Sequence, residues 1–126
     1  MNTQPEELRD RSKAFALRVI RLFRTLPYRT DTQVLGKQLL RCGTAVAANY
    51  RAACRSRSKV EFIARIGVVA EEVDEAVLWL ELLTESGIIS AHKTDSLLAE
   101  ARELADRIPA NCEEGSLSVI FQLQNY

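Results

Sequence analysis

Glycine and proline are scarce in this chain, five and three of 126 residues. A sheet protein with many tight turns needs more of both, whereas plentiful alanine, leucine, arginine and glutamate favour long helices. Histidine is scarcer still, with His92 alone and no cysteine or paired acid at ligand spacing beside it. That argues against a metal site, against a nucleophile–histidine catalytic pair and against any cofactor. The three cysteines, Cys42, Cys54 and Cys112, are an odd number without a CxxC pair, which reads as reduced thiols of a cytosolic protein. No apolar run approaches the ~20 residues that cross a bilayer, and Met1 to Asp10 is polar and partly acidic, unlike a secretion signal. The expectation is a cytoplasmic protein with no membrane segment.

What the chain does contain is enough apolar material for one core: hydrophobic residues make up 47% and charged residues 27%, which is ordinary for a single folded domain of this length. The apolar positions recur at helical spacing. A first helix is expected over about 5–26, with Pro5 at its first position, Pro27 ending it, and Leu8, Phe15, Val19, Leu22 and Leu26 on one stripe. Arg11, Arg18 and Arg21 form a separate stripe, read as a solvated face. A second helix, about 32–54 and capped by Asp31 or Thr32, turns Leu35, Leu39, Cys42, Val46, Asn49 and Ala53 inward amid small residues that admit a close neighbour.

The third helix, about 59–86, has the strongest pattern. Ser58 with Glu61 fits a capping box, Phe62, Ile66, Val69, Val73, Ala76, Leu80 and Leu83 step by four and three, and Gly87 marks the stop. A fourth, about 91–108 and capped by Ser90, carries Leu97, Leu98, Ala101, Leu104, Ala105 and Ile108, with Pro109 expected to end or kink it. A tail, 109–126, holds the apolar stretch Leu117 to Leu123. Four amphipathic helices joined by short links make an all-α, antiparallel up-down-up-down four-helix bundle, one domain over 1–126.

The formal charge is zero, yet it is unevenly placed. Residues 1–65 hold 14 Lys or Arg against five Asp or Glu, and the remainder is correspondingly acidic. A basic half calls for an acidic partner such as nucleic acid, or else its helices are neutralised by acidic neighbours inside the bundle. The cations that crowd most closely are Arg51, Arg55, Arg57 and Lys59, around the link between the second and third helices.

The run Glu71-Glu72-Val73-Asp74-Glu75 fails as a di-iron motif, because no Glu-x-x-His pair accompanies it. Glu72 falls within the apolar sector of its helix, so it is expected to be a buried carboxylate paired with Arg65, seven residues earlier, or hydrogen-bonded to Asn49. Leu78 and Leu82 lie opposite the main stripe of the same helix. A helix apolar on two sides is buried on two sides, which predicts a self-association interface there.

Leu40-Arg41-Cys42-Gly43-Thr44-Ala45-Val46-Ala47-Ala48-Asn49-Tyr50-Arg51-Ala52-Ala53, followed by Ser58, Glu61-Phe62, Glu71-Glu72-Val73-Asp74-Glu75-Ala76 and Trp79-Leu80, resembles the four helix bundle protein family. Its relatives include proteins encoded by intervening sequences of bacterial large-subunit ribosomal RNA and accessory variability proteins of diversity-generating retroelements. The resemblance, spanning about residues 15–104, implies an antiparallel bundle that assembles into a five-membered ring, with no known enzymatic activity. The retroelement relatives bind nucleic acid and a reverse transcriptase through basic surfaces. Asn49, Glu72 and Trp79 match the family's structural motif, Arg51, Arg55, Arg57 and Lys59 match its basic segment in character, and the tail after Pro109 departs from its helical ending.

Two functions follow as expectations. One is a non-enzymatic homopentamer that binds RNA or another nucleic acid through Arg51, Arg55, Arg57 and Lys59. The other is a protein-interaction scaffold in which the basic half of one subunit meets the acidic half of the next.

Overall fold

The computed structural model describes residues 3–114, and within them the chain forms four helices, α1 (Gln4–Arg24), α2 (Thr30–Cys54), α3 (Lys59–Glu85) and α4 (Ala91–Glu114). Side-chain contacts between successive helices run in opposite chain directions. Gly43 of α2 meets Val19 of α1 while Gly36 meets Phe23 and Leu26, Arg41 meets Glu72 across α2 and α3, and Glu81 and Thr84 of α3 meet Arg102 and Thr94 of α4. Arg11 reaches Glu100 and Arg107 reaches Glu7, so α4 closes antiparallel on α1. The result is an all-α four-helix bundle, as expected, and these contacts are consistent with an up-down-up-down order. Among the described residues no helix is long and apolar enough to cross a membrane.

The periodic residues make the core. Phe62, Ile66, Val69, Val73, Ala76, Leu80 and Leu83 of α3 are all buried, with Phe15, Leu39, Cys42, Val46, Tyr50, Leu104 and Ile108 packed into the same cluster. Helix ends follow local chemistry. Thr3 caps α1 in a reciprocal box with Glu6, and Gly87, at φ +84°, supplies the left-handed residue that stops α3. Ser58 Oγ accepts the Glu61 amide, but the Glu61 carboxylate reaches the Arg57 amide instead of returning to Ser58. α2 begins two residues early: Arg29 is its N-cap without a side-chain bond, and Asp31 accepts the Thr32 amide from inside the first turn.

Two expectations need correction. α1 stops at Arg24, with Thr25 as its cap, rather than at Leu26. Pro109 does not end α4, which continues to Glu114. Proline's fixed φ is itself helical, and Pro109 lies on the exposed side, where a carbonyl freed of its helical donor can be met by water, while Ile108 beside it anchors the turn in the core. The apolar stretch Leu117 to Leu123 lies outside the described residues.

The approach of α1 to α2 depends on glycine. A Cβ on Gly43 would stand 2.9 Å from both Val19 methyl carbons, and on Gly36 2.6 Å from Leu26 Cδ1. Val19 is β-branched and fully buried, so it has little freedom to yield, whereas Leu26 Cδ1 is the end of a flexible side chain. Gly43→Ala should therefore destabilise, because overpacking costs about 1–3 kcal/mol against a helix-propensity gain of about 1 kcal/mol. Gly36→Ala should be closer to neutral. Urea unfolding of the two variants measures both.

Candidate nucleic-acid interface

The last turns of α2, the four-residue link and the first turns of α3 enclose a pocket of about 520 Å³ lined by Ala48, Arg51, Ala52, Arg55, Arg57, Glu61 and Arg65. Its construction is local. Arg51 and Arg55 are four residues apart and so share a face of α2, above the small side chains of Ala48 and Ala52. The Arg55 amide closes α2 onto the Ala52 and Ala53 carbonyls. Ser56 then turns inward, only 2% exposed, its amide bonded to the Ala53 carbonyl. That inward residue leaves Arg55 and Arg57 on either side of it facing solvent.

Glu61 is the pocket's own anion. It accepts from the Arg57 amide at 3.2 Å and from Arg65 Nε at 3.1 Å. These donors, the Arg57 amide foremost, hold its carboxyl below the ordinary value. Four arginines against one glutamate leave the pocket strongly positive. Arg51, Arg55 and Arg57 are exposed and make no side-chain ion pair among the described residues, although the Arg57 charge also acts on Glu61.

Of the four cations expected to act together, the structure gathers Arg51, Arg55 and Arg57. Lys59 is exposed at the first residue of α3, outside the lining. The residue that sequence reasoning misplaced is Arg65, which joins the pocket instead of the core.

The expected polar network of Asn49, Arg65 and Glu72 does not form. Arg65 is solvent-exposed and paired with Glu61 one turn before it. Glu72 is two helical turns, about 10 Å, further along α3, beyond its reach. Glu72 is indeed largely sheltered, at 17% side-chain exposure, but its partner is Arg41 of α2, at 3.2 Å. Arg41 also holds Glu75 at 3.1 Å and contacts Cys42 Sγ at 3.1 Å. Asn49 instead donates along its own helix to the Ala45 carbonyl.

Cys42, Glu72 and Glu75 place three ligand-type atoms within 4.8 Å of one another, the one such grouping among the described residues. The Arg41 guanidinium already bonds both carboxylates, and burial pushes the Cys42 thiol up to about 12. The group is a closed ion pair over a protonated thiol, and it ties α2 to α3.

Part of the remaining basic surface is likewise engaged within the bundle. Arg11, expected on a solvated face, bonds Glu100 and Glu103, and Arg18 donates to Ser96. Three exposed carboxyls are held below the ordinary value of 4.5, Glu7 by Arg107, Glu61 by the Arg57 amide and Glu75 by Arg41. Their contribution to stability is present above about pH 4.5 and is lost as the pH falls through their folded values. The thermal midpoint should drop between about pH 5 and pH 3, and about 0.5 M salt should flatten that dependence, because exposed pairs are screened.

α3 also carries exposed apolar residues opposite its core stripe, in two groups separated by the exposed Glu71, Asp74 and Glu75. Val60, Ile63, Val68, Leu78 and Leu82 are exposed, Leu78 at 46% and Leu82 at 40%. A Cβ on Gly67, in their midst, would meet nothing within 4 Å.

Comparison with known proteins agrees with this fold. A family model described as 23S rRNA-intervening sequence protein matches residues 6–110. A solved structure from Bacteroides thetaiotaomicron, described as a protein with unknown function from the S23 ribosomal protein family, is 28% identical and superposes with a TM-score of 0.82. The alignment covers 88% of this chain and 99% of that one. No protein among the curated ones matches the chain in sequence.

Proposed function

The chain belongs to the 23S rRNA-intervening sequence protein family, and from that premise we propose that it is a non-enzymatic, self-associating bundle that binds structured RNA through the Arg51–Arg65 pocket. The observation that carries this reading is the convergence of four arginines, three of them without an ion pair among the described residues, on one solvent-open pocket. Guanidinium groups recognise phosphate oxygens bidentately and read no base identity, so the pocket supplies affinity and position rather than sequence choice.

Self-association rests on the second face of α3. Val60, Ile63, Val68, Leu78 and Leu82 lie along one side of a helix whose other side is the core. Gly67 is unfavourable in a helix interior, by about 1 kcal/mol relative to alanine, and no contact within the protomer requires it. A second copy packed closely against α3 would use both features. The five-membered ring implied by the family resemblance is the assembly to look for, and repetition would multiply the affinity of one weak pocket.

The rival scaffold reading joins basic and acidic halves of neighbouring subunits. Light scattering at low and high salt, with an RNA hairpin titrated into the same preparation, distinguishes the two. A salt-resistant assembly with salt-sensitive RNA binding is expected. An assembly that dissociates in salt and ignores RNA would establish the scaffold instead.

A further inference from the structure

Along α2 and α3, cations do not continue away from the pocket. On α2 the next basic residue before Arg51 is Arg41, which is committed to Glu72 and Glu75. On α3 the segment after Arg65 leads to Glu71, Glu72, Asp74 and Glu75. A nucleic-acid backbone running through the pocket and on along the α2–α3 seam would meet carboxylates within a few turns. A strand whose end lies in the pocket, leaving over the bundle end past Lys59, meets none of them.

The pocket also selects by charge density. Glu61 already occupies part of it, held by the Arg57 amide and Arg65, so an incoming anion must compete with a carboxylate for Arg65. A phosphodiester brings one negative charge. A terminal phosphomonoester brings nearly two at neutral pH, with three terminal oxygens for guanidinium donors. The volume, about 520 Å³, is that of a small-ligand pocket, with room for a phosphate together with the nucleotide that carries it.

We propose that the Arg51, Arg55, Arg57 and Arg65 pocket receives a terminal phosphomonoester, the phosphorylated end of an RNA strand or a free nucleotide carrying the same group. This rests on the RNA-binding reading above and narrows it to a strand end. Glu61 acts as a resident counter-ion that the incoming phosphate displaces from Arg65. Arg51 and Arg55 meet the phosphate from α2, and Arg57 meets it from the link.

The test uses the full-length protein and one single-stranded RNA of fixed sequence in two forms, 5′-phosphate and 5′-hydroxyl, in fluorescence anisotropy at about pH 7.5. The phosphorylated form should bind at least about tenfold more tightly. Glu61→Gln should tighten it further by removing the competing anion, and Arg57→Ala should reduce the difference between the two forms. The preference should fade at about pH 5, where the monoester is protonated to one charge while the arginines remain cationic and Glu61, held low, remains ionised. Inorganic phosphate and a nucleoside monophosphate as competitors separate the two sources. Competition by the nucleotide at concentrations close to those of the RNA assigns the pocket to free phosphomonoesters, and competition only by the strand assigns it to RNA ends.

Equal binding of the two RNA forms would overturn the proposal and leave the RNA-binding reading standing, as would a preference that persists unchanged at pH 5. No binding of either form would overturn both.

Discussion

Reversing the charge at Arg55 and Arg57 together should weaken RNA binding by about a hundredfold or more at 0.1 M salt while leaving the helical fold in place. A hydrogen bond to a charged group contributes about 1.5–3 kcal/mol, and each 1.4 kcal/mol is a factor of ten. Replacing two guanidiniums by carboxylates removes two such contacts and adds two repulsive charges beside Glu61. The fold should tolerate the change because both side chains are exposed and neither makes an ion pair among the described residues. Arg55 does sit at the C-terminal end of α2, where a negative charge opposes the helix dipole, so a stability loss of up to about 1 kcal/mol is expected there. The neutral pair Arg55→Gln and Arg57→Gln should fall between wild type and the reversal. Fluorescence anisotropy with an RNA hairpin reads the affinities, and circular dichroism melts confirm the fold. A reversal variant that binds as tightly as wild type would remove the pocket from the interface.

Placing charge on the second face of α3 should have the largest effect on assembly. Leu78→Asp with Leu82→Asp leaves the core stripe of α3 untouched, since Leu80 and Leu83 face inward. Burying an unpaired carboxylate in an apolar contact costs several kcal/mol, and every interface in a symmetric assembly would carry the penalty. The mass by light scattering should fall toward the 14.2 kDa of a single chain, with helicity retained. A wild-type protein that is already monomeric, or a double variant whose assembly is intact, would place the contact elsewhere.

The helices were legible because each buries one face, and burial imposes a period that the sequence must display. α3 shows this best: all seven residues from Phe62 to Leu83 on its stripe are in the core. Helix ends were less legible where the competing energies are small. Pro109 costs one hydrogen bond, yet α4 runs through it, with the buried Ile108 beside it. The capping box of Thr3 and Glu6 was there to be read, ahead of Pro5.

Pairing across helices was the hidden part. Periodicity placed Glu72 on a sheltered face correctly, but a helical wheel contains only one helix. It offered Arg65, on the same helix, when the partner was Arg41 across the seam. The contact of Arg11 with Glu100 joins residues eighty-nine positions apart, and no local pattern announces it. The pocket was half legible for the same reason. Arg51, Arg55 and Arg57 are close in sequence and stayed together, whereas Glu61 and Arg65 joined them only through the turn between α2 and α3.

That turn sharpens the meaning of the basic half. Arg11 and Arg41 serve contacts between helices, and Arg18 donates to Ser96. Lys13, Arg21, Arg24 and Lys37 stay exposed and dispersed along α1 and α2, whereas the cations at the α2–α3 end are concentrated in one pocket, which is the condition under which phosphate binding becomes specific to place.

The dependence of RNA affinity on salt tests this most directly. Counterion release makes log affinity fall linearly with log salt, by roughly 0.7–0.9 for each phosphate contacted. If Arg51, Arg55, Arg57 and Arg65 together engage one terminal phosphate of nearly two charges, affinity for a 5′-phosphorylated RNA should drop roughly tenfold between ~50 and ~200 mM salt, and the slope should shrink when these arginines are replaced by alanine. An affinity indifferent to salt, or a slope that the arginine replacements leave unchanged, would contradict a phosphate-binding pocket at this end of the bundle.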